Sequence, residues 1–211
     1  MKKYKNLIFD CDGTLLDSNE ATVGAFDAFA RLMINRGLTE KETDDIFHAS
    51  SEQSVINLGI PTTTANMLKL QELFDANSGS IKFFDGVEDV LAILKDKNIN
   101  MGVATNRSEG ETLIAMNANG IGKYIDKFTC RDYGENPKPS GDMLKYYLKK
   151  HNLKKDETLM LGNAIADHLA AIDAGINYAY CMWGTKLKHD AEAIEIEKPE
   201  EILNLVLSLI H

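Results

Sequence analysis

Basic charge is in short supply in this chain. Its 211 residues hold 23 lysines and arginines against 32 aspartates and glutamates, a formal net charge of −9. Binding along a phosphate backbone needs a basic stripe, so this balance argues against a nucleic-acid partner. It also gives no long-range attraction to an anionic substrate, and any phosphate site must supply its positive potential locally. Cysteine is scarce too. Cys11, Cys130 and Cys181 are odd in number, far apart and flanked by apolar residues. That pattern fits reduced, buried thiols in a cytoplasmic protein better than a disulfide frame or a metal cluster. No pair of histidines has zinc-ligand spacing with supporting cysteines. Long apolar runs are missing. No window approaches the ~18 consecutive apolar residues of a membrane span, and the apolar run in MKKYKNLIF is too short for a signal peptide. Repeats and low-complexity tracts are absent. Nothing in the sequence sets an oligomeric state.

What is present is an ordinary globular composition, 44% hydrophobic and 26% charged, long enough for a substantial core. Short β-type runs alternate with helical patterns. The expected strands are Leu7 to Phe9, Met101 to Ala104, Phe128 to Cys130, Leu159 to Leu161 and Tyr178 to Met182. Val87, Val90, Leu91 and Leu94 form one helical stripe. Ser108 with Glu111 reads as a capping box. Asp142 to Lys150 and Asp167 to Ala174 supply further helices, and Gly175 is a plausible stop. This alternation predicts a Rossmann-like α/β core, a parallel sheet with helices on both faces.

One stretch breaks the alternation. From Asn19 to Ile81 no strand is visible. Val23, Phe26, Ala30 and Met33 share a helical face, Thr39 and Glu42 make a capping box for a helix through Phe47, and helical patterns follow from Ser51 to Leu58 and from Thr64 to Asn77. The expected division is a core of residues 1–17 and 83–211 with an all-helical cap inserted at 18–82, on two linkers that would let it open and close. The acidic run Asp190 to Glu201 reads as a solvated edge leading into a final helix. His48 is expected in a turn of the cap, and Trp183-Gly184-Thr185 in a rim loop.

Asp10 to Ser18 reads DCDGTLLDS directly after the first strand. Alternation along an extended chain sends Asp10 and Asp12 to one side, where like charges raise one pKa unless a cation sits between them. Gly13 permits a tight turn and Thr14 adds a hydroxyl. Ligands of open parallel sheets bind outside the carboxyl ends of the strands. Asp10, Asp12 and Thr14 follow the first strand there. Thr105, Asn106 and Arg107 follow the second, Lys138 lies after the third, and Asn163 and Asp167 follow the fourth. Carboxylates suit a divalent ion; a hydroxyl, amides and an ammonium suit an oxyanion.

With DCDGT (Asp10 to Thr14), VATNR (Val103 to Arg107), NPKP (Asn136 to Pro139), GNAIAD (Gly162 to Asp167) and AAIDAG (Ala170 to Gly175), the chain resembles the haloacid dehalogenase-like hydrolase superfamily. The resemblance is to its phosphoglycolate phosphatase-like branch with a helical cap, and it covers essentially the whole chain. It implies Asp10 as nucleophile, forming an aspartyl-phosphate, and Asp12 as general acid and then base. Thr105 and the Asn106 backbone N–H would bind the transferring phosphoryl group, and Lys138 would neutralise it together with Asp10. Gly13, Thr14, Asn106 and Arg107 complete the phosphate and substrate side. The implied cofactor is Mg²⁺, on the Asp10 carboxylate, the Asp12 backbone carbonyl and the acidic residues of the fourth motif. The implied partner is a small phosphorylated metabolite, with phosphoglycolate as the leading example. Asp12 separates this branch from dehalogenases and phosphonatases, in which the second acid is replaced.

The chain departs from the family at Asn163, where G-D-x-x-x-D is usual. An amide oxygen binds Mg²⁺ without contributing charge, so Asn163 and Asp167 are the expected fourth-motif ligands at reduced affinity. Three readings stay open: an enzyme with weaker metal binding, a phosphate-binding module with little turnover, and an introduced substitution. A phosphomutase on the same core is the further alternative.

Overall fold

The structure is a computed structural model that describes residues 4–46, 49, 51–77, 81–184 and 193–206. The chain divides into two compact units, Met1–Asp17 with Phe83–His211, and Ser18–Lys82.

The first unit is built on β1 (Asn6–Phe9), β4 (Asn100–Thr105), β5 (Phe128–Cys130), β6 (Thr158–Gly162), β7 (Asn177–Cys181) and β8 (Ile194–Ile196). They form one sheet in the order β5-β4-β1-β6-β7-β8, and every pairing is parallel. Its intervening helices are α5 (Val87–Asp96), α6 (Glu109–Ala118), α7 (Asp142–Lys150), α8 (Ile165–Ala174) and α9 (Ile202–Val206). β1 sits at the centre and is buried along its length, as near-continuous apolar strands of parallel sheets are. Ile8, Ala104, Met160, Tyr178 and Tyr180 pack with Met143, Leu144 and Tyr147 of α7 and with Ala170, Ala171 and Ala174 of α8. Leu7, Phe9, Leu159 and Leu161, of opposite parity, are buried as well, so the sheet is covered on both faces. α6 opens with the expected capping box, Ser108 accepting from the Glu111 N–H and Glu111 from that of Ser108. α8 ends at Gly175 in the left-handed conformation that only glycine adopts freely.

β5 has the expected bounds, β1, β4 and β6 run one residue beyond theirs, and β7 is shifted back by one residue, leaving Met182 outside it. β8 and two two-residue strands, Leu16–Asp17 and Lys82–Phe83, escaped the sequence reading. Ile194–Ile196 pairs with β7, inside a run read as a solvated edge. It is a short outer strand with a glutamate at its centre and its first residue exposed, so its apolar content is too small to signal a strand. The expected site for Thr185 and the start of the acidic run lie outside the described residues.

The second unit is helical: α1 (Asn19–Ile34), α2 (Glu40–Ile46), α3 (Ser51–Asn57) and α4 (Thr64–Asn77). Its core gathers Phe26, Phe29 and Ala30 of α1 with Ile46, Val55, Leu58, Ile60 and Leu70, and Phe26 meets Phe74 edge-on at 5.5 Å. The buried stripe of α1 is Ala21, Ala25, Phe26, Phe29 and Ala30. It is rotated from the expected face, leaving Met33 exposed and bringing in Phe29. The Thr39–Glu42 capping box forms as expected. Phe47 and His48 lie outside the described residues. The crossings between units carry the short strands β2 (Leu16–Asp17) and β3 (Lys82–Phe83), which pair with each other.

Candidate active site

The four sequence motifs meet at the carboxyl ends of β1, β4, β5 and β6, beside the point where strand order reverses across β1. Strand β1 delivers Asp10 directly. Beyond it the chain does not stay extended: Leu15 and Leu16 both donate to the Cys11 carbonyl, closing a turn in which Gly13 takes φ +76°. Asp10 and Asp12 are therefore not twins on one face. The Asp10 side chain is 10% exposed, that of Asp12 37%.

At the base of the site Lys138 bridges two carboxylates. Its Nζ lies 2.6 Å from Asp10 Oδ1 and 2.6 Å from Asp167 Oδ1, and donates to the Ala104 carbonyl at 3.0 Å. The Lys138 side chain is 4% exposed. Burial opposes its charge, and Asp10 and Asp167 more than offset that, holding its pKa above the ordinary lysine value. Two buried anions against one cation leave a surplus of negative charge. Burial, then the Asp167 charge, raise the Asp10 carboxyl to about 7 against the pull of Lys138, and Asp12 adds less than either of the first two. The like-charge effect expected from Asp12 comes mainly from Asp167.

Lys138 is held by its backbone. Asn106 Oδ1 accepts from the Lys138 N–H at 2.8 Å and Asn106 Nδ2 donates to the Lys138 carbonyl at 3.0 Å. Pro137 and Pro139 restrict the backbone on either side of Lys138, and this paired amide clamp fixes it to the end of β4. Thr105, buried at the end of β4, accepts the Arg107 N–H through Oγ1 at 3.2 Å, and its own O–H donates to no group among the described residues.

Several expected phosphate contacts are engaged elsewhere. The Arg107 guanidinium grips Asp12, Nε to Oδ2 at 2.7 Å and Nη2 to Oδ1 at 2.6 Å. Gly13 donates its N–H to the Leu16 carbonyl. Thr14 donates to Asn163 Oδ1 at 3.3 Å. Asp167 engages both oxygens, one on Lys138 and one on the Ala164 N–H at 3.1 Å, so it serves the lysine and the start of α8 rather than standing open as a metal ligand.

Asn163 lies against Gly13, where a Cβ would come within 2.3 Å of its Nδ2. Nδ2 donates to the Gly184 carbonyl at 3.3 Å. Trp183 Nε1 donates to the Thr14 carbonyl at 2.9 Å, and a Cβ on Gly184 would overlap the Gly13 carbonyl. The segment after β7 is thus fastened to the turn after β1. Trp183 and Gly184 were read as a rim loop; their hydrogen bonds need partners from two other motifs, which no local pattern reveals.

Among the described residues no three His, Cys, Asp or Glu side chains gather to hold a metal ion. An all-oxygen set is nevertheless at hand in Asp10, the Asp12 carbonyl and the Asn163 amide. Asp10 Oδ2 has no hydrogen-bond partner among the described residues, and the surplus negative charge at Asp10 is what a hard cation would relieve. The chemistry of these donors fits Mg²⁺, with one carboxylate fewer than the family pattern.

The family model of haloacid dehalogenase-like hydrolases matches residues 7–181, and the chain belongs to that family. The chain is 28% identical to the phosphoglycolate phosphatase of Vibrio cholerae over 187 residues, covering 83% of each chain. It is 22% identical to the pyrophosphatase PpaX of Bacillus pumilus over 208 residues, covering 97% of this chain and 94% of that one. A hydrolase of subfamily IA, variant 1, from Geobacter sulfurreducens shares the fold at a TM-score of 0.72, with 21% identity and 96% of each chain covered. The chain is thus placed in a family of hydrolases.

Proposed function

We propose that the protein hydrolyses a small phosphomonoester through an aspartyl-phosphate on Asp10, with Mg²⁺ as cofactor. The observation that carries this reading is the buried Asp10, held by Lys138 through one oxygen and unpartnered at the other. A nucleophile needs one oxygen fixed and one available. Asp10 Oδ2 attacks phosphorus as the ester P–O bond breaks, and Asp12 gives a proton to the departing oxygen. Asp12 then takes a proton from water, which attacks the same phosphorus and releases Asp10. The Thr105 hydroxyl donates to a phosphoryl oxygen, and Lys138 reaches another by turning one N–H away from its present acceptors, Asp10, Asp167 and the Ala104 carbonyl. Asp10, the Asp12 carbonyl and Asn163 would hold Mg²⁺, which when bound neutralises Asp10 and the phosphoryl group. The names of the relatives, a phosphoglycolate phosphatase and a pyrophosphatase, support small phosphorylated substrates, and phosphoglycolate leads among them. The helical unit of Ser18–Lys82 acts as a cap, by its insertion between β1 and the rest of the sheet.

Asn163 favours a second reading, a phosphate-binding module with little turnover. Phosphate release from a panel of small phosphomonoesters, with and without Mg²⁺, separates the two. Mg²⁺-dependent release that Asp10→Asn abolishes supports the phosphatase. A silent native chain that Asn163→Asp awakens supports the module.

A further inference from the structure

The grip of Arg107 on Asp12 is a contact that the hydrolytic scheme does not need. The two hydrogen bonds, at 2.7 and 2.6 Å, occupy both carboxylate oxygens. An acid that protonates a leaving oxygen must turn one oxygen toward it, so at least one of these bonds has to open during the reaction. The pair also lies nearer solvent than the base of the site. The Arg107 side chain is 25% exposed and that of Asp12 37%, against 4% and 10% for Lys138 and Asp10. A phosphoester with its phosphorus at Asp10 carries the rest of its body outward, past this pair. The stem of Arg107 is fixed meanwhile, its N–H on Thr105 Oγ1 and its carbonyl accepting from the Arg131 N–H at 3.2 Å. What is left to move is the guanidinium, whose planar fork fits a carboxylate or a phosphate equally well.

We propose that Arg107 selects substrates bearing a second anionic group, a carboxylate or another phosphate close to the ester oxygen, by moving its guanidinium from Asp12 to that group. The exchange frees Asp12 to face the ester oxygen, so the group that identifies the substrate also releases the acid. Arg107 is a specificity-determining residue that trades one hydrogen-bond acceptor for another; no bond to carbon or phosphorus changes at it. Once out of the ion pair, Asp12 takes up a proton from water and passes it to the ester oxygen, as in the scheme above. The proposal rests on the phosphatase reading and adds the substrate class to it.

The test compares kcat/KM for 2-phosphoglycolate and ethyl phosphate, alkyl esters that differ by one carboxylate. p-Nitrophenyl phosphate is the third probe, because its leaving group departs without a proton. In Arg107→Met the preference for phosphoglycolate over ethyl phosphate falls about 10–100-fold, the worth of a lost charged hydrogen-bond pair. The loss is shared between KM and kcat. Free guanidinium restores part of the phosphoglycolate rate and not the p-nitrophenyl phosphate rate. Should Arg107→Met fail to fold, Arg107→Lys keeps the charge without the fork and reads the same ratio, lowered several-fold. An unchanged ratio, or an equal loss on all three probes, overturns the role given to Arg107 and leaves the phosphatase standing. A native chain that turns over none of the three overturns both.

Discussion

Asn163 is where single-residue chemistry has most to decide. Its Nδ2 donates to the Gly184 carbonyl and its oxygen accepts from Thr14. Asn163→Asp removes the donor and sets a carboxylate against a carbonyl oxygen, while it restores a charged ligand beside Asp10. Two opposite effects follow. Without metal the variant melts below the native protein, by the ~1–3 kcal/mol of a buried acceptor left facing another acceptor. With Mg²⁺ it melts above it, and calorimetric titration gives a Kd at least ~10-fold tighter. A second consequence concerns Asn106, which clamps the Lys138 backbone through two hydrogen bonds. Asn106→Ala lowers stability by about 1–3 kcal/mol in urea unfolding and reduces kcat more than it raises KM, because the lysine is mispositioned rather than lost. At this scale the sequence was informative about identity and poor about partners. Asp10, Asp12, Thr105 and Lys138 stand out because unusual residue types fall at strand ends. That Arg107 turns to Asp12, Thr14 to Asn163 and Asp167 to Lys138 depends on contacts spanning up to 149 positions, and no local pattern encodes them.

The elements divide by how strongly they announce themselves. α5 repeats its apolar residues at helical spacing and α7 occupies the expected Asp142–Lys150. β8 is three residues with a glutamate in the middle, and only its pairing with β7 makes it a strand. The entry to α2 is a polar element legible from two residues. Thr39 and Glu42 cap each other, and Glu42 also receives Arg36 through both carboxylate oxygens. The Arg36 hydrogen bonds, then the Thr39 N–H, hold the Glu42 carboxyl at about 2, below the ordinary glutamate value of 4.5. A depressed acid adds stability that is fully present above the unfolded value and is lost as pH falls through the folded one. The melting temperature of Glu42→Gln therefore lies below the native one at pH 6, and the gap narrows from about pH 4.5 and closes near pH 2. A gap independent of pH contradicts the ion pair as its source.

At the scale of the molecule, the described residues include a hydrophobic cluster around α7, α8 and the sheet in one unit and another around Phe26 and Phe29 in the other. A helical insertion between a first strand and the remainder of a parallel sheet was readable as a break in alternation. The way its helices turn was not, because α1 has apolar residues on more than one side and Phe29 displaced Met33 from the buried stripe. Phe29→Ala removes a fully buried ring from the second core, at a cost of ~3–5 kcal/mol. Hydrogen exchange then rises throughout α1–α4 while β1, β4 and β6 stay protected. Uniform loss of protection contradicts two separately stabilised cores. The central claim is that this molecule transfers a phosphoryl group to Asp10. Its most direct test is rapid quenching during turnover of 2-phosphoglycolate with Mg²⁺, followed by peptide mass spectrometry. The account predicts one phosphoryl group on the peptide containing Asp10, absent in Asp10→Asn together with all phosphate release. Phosphate release that continues in Asp10→Asn, with no phosphorylated peptide in the native protein, would contradict it.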